Sequence, residues 1–327
     1  MESTYKRIYF YREIIKMIEN NEFMKITVAG VGCGGNNSVC RVADAKPNGI
    51  TYFGIDTDSK ALRSQAVTPV HLGEKHGSGR GCGGNAALGK AAAEENYDLL
   101  VSLFDGCVVA FIAAGLGGGT GSGAAPVVAK AAHEAGALTI AVVTKPFAFE
   151  GSRRMSVADE GLEELRKYSD AVIIIPNENV KNSTTQKITF ANAFRLIDDV
   201  LCESVLSVLE ILTKAMLINI DIADINAVLR NSGDIFIGNA VAEGNDRVKK
   251  LVEAATRNPL LEKGMNDAKG LVVYLSANHN VSLDEINEIS NRIAETTAPD
   301  ANIIWGFDFD DALGDMIKVS IIASGVK

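Results

Sequence analysis

The sequence of 327 residues contains no run of about 18 consecutive apolar residues, the length that a membrane-spanning helix requires. Near its N-terminus, the charged residues Arg12, Glu13, Lys16 and Glu19 interrupt the apolar positions, so no secretory leader is indicated. We therefore expect a cytoplasmic protein with no direct membrane span.

Dense basic tracts are also absent. Lys and Arg total 32 and Asp and Glu total 41, so the formal net charge at pH 7 is −9. A protein that binds nucleic acid normally presents a basic surface to the phosphates. We therefore expect no nucleic-acid partner, although a local site for one small anion stays open.

Cysteine and histidine are scarce, and their spacing indicates neither a disulfide framework nor a zinc site. The five cysteines are spread along the chain without a Cys-x-x-Cys motif, and the four histidines form no ligand pattern. Cys33 and Cys82 lie within glycine-rich segments, where a redox role is conceivable. We interpret them as small side chains that fill tight loops.

The sequence does have the composition of a globular protein, with 47% hydrophobic and 22% charged residues. In the N-terminal half, short β-branched runs alternate with helical patterns, which predicts βα units and a buried parallel sheet. The predicted strands cover residues 25–29, 51–55, 107–113, 138–143 and 171–175. The predicted helices cover residues 86–103, 124–135 and 155–168.

A long amphipathic helix is predicted over residues 189–217 and is expected to bridge two domains. Its apolar positions recur at three- and four-residue steps, at Phe190, Phe194, Ile197, Leu201, Val205, Val208 and Leu212. Beyond it, helical patterns at 245–257 and 283–295 and strand patterns at 270–276, 303–307 and 316–323 predict an α+β domain. The predicted division is an extension over 1–24, an α/β domain over 25–188, a connecting helix over 189–218 and a C-terminal domain over 219–327.

The first of three glycine clusters, residues 30–35, follows a predicted strand and precedes a predicted helix. Backbone N–H groups at such a position can hold a phosphate. The cluster satisfies G-x-G-x-x-G, and Asp56 follows at the end of the second strand, where a dinucleotide-binding protein holds a ribose. An NAD(P)-dependent oxidoreductase is therefore one hypothesis.

A further glycine cluster, residues 115–123, argues against that hypothesis because one pyrophosphate does not need two such loops. Six glycines with Thr120 and Ser122 offer N–H donors for two or three phosphates and hydroxyls for phosphate or a Mg²⁺ shell. The segment 84–91, between these clusters, imitates a P-loop, but it is rejected because Ala91 has no hydroxyl and the pattern is helical.

Two pairs of charged residues each have both a functional and a structural interpretation. Glu150 and Arg154 follow a strand at the edge that carries the glycine loops, and a solvated charge pair is the alternative. Asp221 and Asp224 lie three residues apart after the long helix, and helix capping by Asp221 is the interpretation that the spacing alone favours.

Taken together, residues 25–325 resemble FtsZ, the prokaryotic tubulin homologue. The resemblance rests on the glycine-rich loop around Gly34 to Asn37, the loop 117–123, Thr144-Lys-Pro-Phe with Phe149-Glu-Gly and Arg154, Ile175-Pro-Asn177, Ala193-Phe194 with Asp198-Asp199, and Asn219, Asp221 and Asp224. It implies an α/β fold with a Rossmann-like parallel-sheet GTPase domain, a long connecting helix and an α+β C-terminal domain. The GTP-binding residues that it implies are Gly34, Gly35, Asn37, Gly117, Gly118, Gly119, Thr120, Gly121, Ser122, Gly123, Glu150, Arg154, Asn177, Phe194 and Asp198.

The resemblance also implies that Asn219, Asp221 and Asp224 act on the GTP of the neighbouring subunit, with Arg154 assisting from the phosphate side. The implied protein is a head-to-tail homopolymer in cell division, with GTP or GDP as ligand, Mg²⁺ held mainly by the phosphates, and division or membrane-adaptor proteins as possible partners. A nucleotide-binding structural paralogue without a direct cytokinetic role is the alternative.

Some positions depart from the family pattern. Cys33 replaces a usual glycine, Asp56 stands where Asn is general, and the second glycine loop, residues 80–86, looks shortened. The sequence ends soon after its last predicted strand, without the usual tail, which puts the cytokinetic role in doubt. For residues 1–23, a helix packed on its own domain is favoured over an amphipathic membrane anchor.

Overall fold

The structure is a computed structural model that describes residues 24–45, 49–62, 64, 66–77, 79–182, 188–214 and 216–326. The N-terminal segment, for which an anchor and a packed helix were both considered, lies outside these residues. The chain divides into two compact units, with the boundary between Leu206 and Ser207.

A parallel β-sheet forms the centre of the first unit. Its strands are β1 (Ile26–Val31), β2 (Ile50–Asp56), β3 (Thr68–His71), β4 (Val109–Gly115), β5 (Leu138–Lys145) and β6 (Ala171–Pro176). They lie in the order β3, β2, β1, β4, β5, β6, and each neighbouring pair is parallel. In such a sheet, ligands bind at the carboxyl ends of the strands where the order reverses, which here is between β1 and β4. The predicted Rossmann-like sheet is confirmed.

Helices connect these strands. They are α1 (Gly32–Asp44), α2 (Glu74–Gly77), α3 (Ala86–Glu95), α4 (Tyr97–Leu103), α5 (Gly119–Glu134) and α6 (Ser152–Arg166). The single helix predicted over residues 86–103 is wrong, because the backbone of Asn96 leaves the helical region between α3 and α4. The Oδ1 atom of Asn96 instead accepts a hydrogen bond of 3.0 Å from the N–H of Gly73. The segment that imitates a P-loop falls mainly in α3, so its predicted helical character is confirmed.

A long helix, α7 (Phe190–Thr213), crosses the boundary between the two units. It ends at Thr213, four residues before the predicted end. The chain beyond it leaves the helical conformation, and Ile218 there pairs with Phe307 as an isolated antiparallel bridge. The predicted apolar positions from Ile197 to Leu212 are buried, whereas Phe194 is 40% exposed. The side chain of Phe190 lies outside the described part of the structure.

The second unit is an α+β arrangement, as predicted. Its strands are β7 (Gly233–Asp234), β8 (Phe236–Ala242), β9 (Ala268–Ala277), β10 (Thr297–Phe309) and β11 (Ile317–Ser324), and its helices are α8 (Ile222–Leu229), α9 (Arg247–Ala255) and α10 (Leu283–Ala294). The sheet order is β10, β9, β11, β8, and only the β9–β10 pair among these is parallel. Strand β8 escaped the sequence prediction because Gly238 and Asn239 interrupt its apolar pattern.

Close packing of α1 on β4 yields a first prediction. A Cβ atom at Gly35 would lie 2.1 Å from the carbonyl oxygen of Ala113, a backbone atom that cannot move alone. We expect Gly35→Ala to reduce the free energy of unfolding by about 3 kcal/mol, as overpacking of a core does. Urea denaturation measures the change.

The preceding residue supplies the matched control. Gly34 is exposed in the same helix, and a Cβ atom there would lie in ordinary contact with Gly115, 3.5 Å from its Cα and 3.6 Å from its nitrogen. Gly34→Ala should therefore keep or slightly raise stability, because Ala is favoured over Gly in helices by about 1 kcal/mol. Equal losses from the two variants would contradict the packing described for Gly35.

Candidate functional site

The loop after β4 leads directly into the N-terminus of α5. Gly117 has a φ of 96°, a value that side chains other than Gly rarely adopt. Gly118 is the N-cap residue, and the helix begins at Gly119. The predicted start near residue 124 is wrong, because the glycines form the first helical turn. The free N–H groups of that turn therefore point out of the loop, where a helix N-terminus attracts anions.

Most glycines of this loop are required by packing. A Cβ atom would lie 2.7 Å from Cys82 Cβ at Gly119, 2.2 Å from the Gly115 oxygen at Gly121, and 2.0 Å from the Ala86 oxygen at Gly123. At Gly118, in contrast, no atom lies within 4 Å. Gly118 is therefore the position of this loop that faces open space.

The two hydroxyl groups of the loop make internal hydrogen bonds. Thr120 Oγ1 lies 2.8 Å from Thr57 Oγ1 and 3.3 Å from Asp56 Oδ1. Ser122 Oγ accepts a hydrogen bond of 2.7 Å from the N–H of Gly117. Both hydroxyls fix the shape of the loop, and their predicted contact with phosphate or a Mg²⁺ shell stays a prediction.

The first glycine loop lies beside this loop. Helix α1 begins directly after β1, with Cys33, Gly34 and Asn37 exposed and Gly35 buried. A Cβ atom on Gly32 would lie 3.0 Å from the backbone nitrogen of Gly121. The structure thus brings the two loops together at the place where the strand order reverses.

A buried asparagine that the sequence analysis did not single out fixes the first loop to β2. Asn36 is 4% exposed; its Oδ1 accepts from the N–H of Ile55 at 3.1 Å, and its Nδ2 donates to Asp56 Oδ2 at 3.2 Å. In the sequence, Asn36 cannot be told apart from its neighbour Asn37, which is exposed. Only the hydrogen bonds to residues about twenty positions away show that Asn36 is the structural one of the two.

Asp56 does not fit the ribose contact of the oxidoreductase hypothesis. It is 3% exposed, and its Oδ1 accepts from the N–H groups of Thr57 at 2.8 Å and Asp58 at 3.1 Å. Burial raises the pKa of this carboxyl, against the opposing effect of the hydrogen bonds from Asp58, Thr57 and Thr120. Asp56 is therefore a structural acceptor that links β2 to the loop 115–123.

Glu150 and Arg154 form a defined pair at the start of α6. Arg154 Nη1 lies 2.8 Å from Glu150 Oε2, and Glu150 Oε1 accepts a hydrogen bond of 2.8 Å from the N–H of Phe147. The Glu150 side chain is 10% exposed and the Arg154 side chain 52% exposed. The pair is therefore more ordered than a solvated surface pair, and the guanidinium remains accessible.

An open cleft of about 500 Å³ lies between this pair, the loop 115–123 and the segment that contains Gly83 and Gly84. Its lining consists of Gly83, Gly84, Gly117, Gly118, Gly119, Glu150, Arg153, Arg154 and Val157. A second cleft of about 330 Å³, between α3, α5 and α6, contains Ser122 and Gly123 of the predicted set. Gly118, at the N-terminus of α5, therefore faces the same space as two arginines.

The residues predicted around a guanine base also lie in the first unit. Asn177 follows β6, is 6% exposed, and its Oδ1 has no hydrogen-bond partner among the described residues. The rings of Phe194 and Phe147 meet edge to face at 5.5 Å between centroids. Asp198 Oδ1 accepts from Ser38 Oγ at 3.2 Å, and burial raises the pKa of its carboxyl.

The second unit carries the acidic segment, which we define as residues 217–224. Asp221 caps α8 by accepting from the N–H of Asp224 at 2.8 Å, and Asp224 Oδ2 accepts from the N–H of Asp221 at 3.1 Å. The predicted capping role of Asp221 is confirmed. The cap uses one oxygen of each carboxylate, so a second oxygen of each is left over for other contacts. Asn219 is exposed.

Within the described residues, no group of three or more His, Cys, Asp or Glu side chains is arranged to hold a metal ion. In the same part of the chain, no helix has both the length and the apolar character needed to cross a membrane.

Comparison with known proteins gives consistent matches. The family model described as "Tubulin/FtsZ family, GTPase domain" matches residues 25–185, and "FtsZ family, C-terminal domain" matches residues 233–327. The chain is 42% identical to cell division protein FtsZ 1 of Rhizobium meliloti over 92% of this chain and 52% of that protein. It is 41% identical to FtsZ 2 of the same organism, over 92% of this chain and 88% of that protein.

A solved structure agrees with these matches. The empty FtsZ dimer of M. jannaschii superposes with a TM-score of 0.84 and 34% identity, over 99% of this chain and 92% of that chain. The chain spans about half the length of the first curated relatives that it matches. The identity, the coverage and the match of both domain models together show that this chain belongs to the FtsZ family.

Proposed function

We propose that this chain is a GTPase that binds GTP or GDP in its first unit and assembles into head-to-tail protofilaments. The observation that carries the proposal is the open N-terminus of α5 at Gly118, which shares a cleft with Arg153 and Arg154. Free N–H groups and guanidinium groups together provide the positive potential that a polyphosphate needs. The match to the family's GTPase domain supports GTP as the ligand.

The base-binding part of the proposal rests on complementary chemistry. Asn177 has a buried acceptor atom without a partner, and such an atom costs free energy unless a ligand or water satisfies it. The exposed face of Phe194 offers a stacking surface, and the Asp198 carboxylate can accept from the N1–H and N2–H groups of guanine. Glu150 would lie on the ribose side.

We assign hydrolysis to a site shared between subunits. Asn219, Asp221 and Asp224 of one subunit orient and polarise the attacking water at the γ-phosphate held by the next subunit. The cap fixes both carboxylates and leaves an oxygen of each for that water. Magnesium would be held mainly by the phosphates, since the described part of the chain offers no cluster of carboxylates for it.

A head-to-tail contact is heterologous, so it generates an open filament where the rotation does not close a ring. The curated relatives are named as cell division proteins. We therefore extend the proposal to a cytoplasmic filament at the division site, with division or membrane-adaptor proteins as further partners.

Calorimetric titration and sedimentation test the proposal together. GTP and GDP should bind with 1:1 stoichiometry, whereas NAD and NADP should give no heat of binding. The protein should sediment as polymer with GTP and Mg²⁺ but not in their absence. Preferential binding of NAD would favour the oxidoreductase hypothesis. GTP binding without any polymer would contradict the proposed assembly into filaments.

One prediction concerns Arg154, which we place beside the phosphates of GTP. Arg154→Ala should slow GTP turnover by about 100-fold, because it removes a charged donor from the developing negative charge. Arg166→Ala is the matched control, since Arg166 lies on the same helix, pairs with Glu163, and lies outside the cleft lining. Phosphate release at saturating GTP measures both variants, and equal turnover would contradict the role of Arg154.

A further inference from the structure

The acidic segment is attached to strand β10 immediately before its first functional residue. The N–H of Ile218 donates to the oxygen of Phe307 at 3.0 Å, and the N–H of Phe307 donates to the oxygen of Ile218 at 3.1 Å. The two hydrogen bonds form an isolated antiparallel bridge, because Ile218 belongs to no strand. The position of Asn219 is therefore set by β10, although the two are nearly ninety residues apart in sequence.

Gly306, which has no side chain, leaves space on β10 into which Ile220 of the acidic segment packs. A Cβ atom on Gly306 would lie 2.5 Å from Ile220 Cδ1 and 2.9 Å from Met216 Sδ. Ile220 is 5% exposed and lies between Asn219 and Asp221. Any side chain at residue 306 must therefore displace the Ile220 side chain, whose burial against β10 holds the backbone between Asn219 and Asp221.

A buried ion pair holds the chain on the other side of the segment. Lys214, the first residue after α7, places its Nζ atom 3.0 Å from Asp308 Oδ2 and 2.6 Å from the hydroxyl of Tyr274. The side chain of Lys214 is 5% exposed and that of Asp308 21% exposed. Asp308 lies two residues after Gly306, so the ion pair and the packing of Ile220 on Gly306 attach the chain to the same part of β10.

A second buried pair lies one helical turn earlier. Lys318 of β11 donates to Glu210 of α7, and both side chains are nearly inaccessible to solvent. Buried ion pairs are a poor source of stability because each charge loses its hydration. Their best-supported role is to select one arrangement of the packed elements. The end of α7 is thereby fixed against the sheet of the second unit.

These contacts hold Lys214, Ile218 and Ile220, which lie shortly before Asp221 at the start of α8. We propose that Gly306, Lys214 and Asp308 are positioning residues for the shared hydrolytic site, which set the location of Asp221 and Asp224 without touching the substrate. This inference rests on the proposed function, because it assumes that the acidic segment serves the GTP of the neighbouring subunit.

The first test compares turnover with assembly. Gly306→Ala and Lys214→Met should each reduce turnover per polymerised subunit by at least tenfold while GTP affinity changes little. Both variants should also unfold at a lower temperature, so turnover is measured well below that temperature. Lys214→Arg should restore most of the turnover, because it keeps the charge opposite Asp308. Gly264→Ala is the matched control, since residue 264 lies in the same unit with no atom within 4 Å of an added Cβ.

Mixed filaments separate a positioning role from a general structural defect. In a random 1:1 mixture of Gly306→Ala with Arg154→Ala, about one quarter of the head-to-tail contacts join an intact phosphate site to an intact acidic segment. Turnover should therefore recover to about one quarter of the unmodified level. A mixture of Gly306→Ala with Asp224→Ala should show no recovery, because both chains lack a working acidic segment. Lys214→Met takes the place of Gly306→Ala if the latter fails to fold.

The outcomes distinguish this inference from the proposed function. Recovery with Arg154→Ala alone supports the positioning role. Recovery with both partners, recovery with neither, or normal turnover of both single variants would overturn it while the unmodified chain still assembles with GTP. Absence of GTP-dependent assembly by the unmodified chain would overturn both, and it is seen before any variant is compared.

Discussion

Replacing Gly118 with Asp is expected to weaken GTP binding by at least about 100-fold, because it places a carboxylate where the proposed site holds the terminal phosphates, at the N-terminus of α5. The fold should be unaffected. Residue 118 is the N-cap of the helix, no atom lies within 4 Å of an added Cβ, and Asp is a favoured N-cap residue. Calorimetric titration with GTP and a thermal unfolding scan measure the two quantities.

Two control variants isolate the charge at residue 118. Gly118→Asn has nearly the same size and should lose far less affinity than Gly118→Asp, since it adds no charge. Gly264→Asp adds the same charge at an open position of the second unit and should bind GTP normally. If Gly118→Asp binds GTP as tightly as the unmodified chain, the phosphates do not lie at the N-terminus of α5.

Asp224→Asn is expected to reduce GTP turnover by at least about 100-fold while nucleotide affinity stays within twofold of the unmodified value. Loss of a general base or of a charge that polarises water has effects of about this size. The Asn side chain still offers an oxygen to the N–H of Asp221, so the cap of α8 is kept. Asp224→Ala should give the same loss of turnover with a less stable helix start.

The control for this variant lies at another helix start in the same unit. Asp246 is the N-cap residue of α9 and makes no side-chain cap hydrogen bond. Asp246→Asn should therefore leave turnover unchanged. A loss of GTP affinity in monomeric Asp224→Asn would contradict the assignment, because a residue that serves the next subunit cannot contribute to binding in its own.

Central strands of the first sheet could be predicted closely because they are buried on both faces. Strand β4, predicted over residues 107–113, covers Val109–Gly115, a continuous apolar run. Strand β3 gave no such signal, since Val70 is its only fully buried residue and Pro69 interrupts it. Strands that pack on one face or contain Gly depend on tertiary contacts that periodicity does not show.

The start of α5 shows how packing overrides local propensity. A first turn with three glycines and two hydroxyls reads as a loop, since Gly disfavours helix by about 1 kcal/mol. The turn is helical because Gly119 and Gly123 allow α3 to approach within direct backbone contact. The same correction strengthens the candidate site, because the helix N-terminus then lies in the loop itself.

The site was predictable where backbone composition carries the chemistry and hidden where side chains meet across the chain. Glycine clusters predicted the two loops that meet where the strand order reverses. The hydrogen bonds of Asn36 with Ile55 and Asp56, and of Thr57 with Thr120, join residues that are about twenty to sixty positions apart. No sequence spacing marks such pairs, and the contact of Ile220 with Gly306 belongs to the same class.

The central claim is that hydrolysis requires two subunits, and phosphate release measured over a range of protein concentrations tests it most directly. With GTP and Mg²⁺ in excess, the rate should be negligible below a threshold concentration and rise linearly above it, because the acidic segment acts only in a head-to-tail contact. A rate proportional to protein concentration from zero would show a self-contained monomeric enzyme and contradict the shared site.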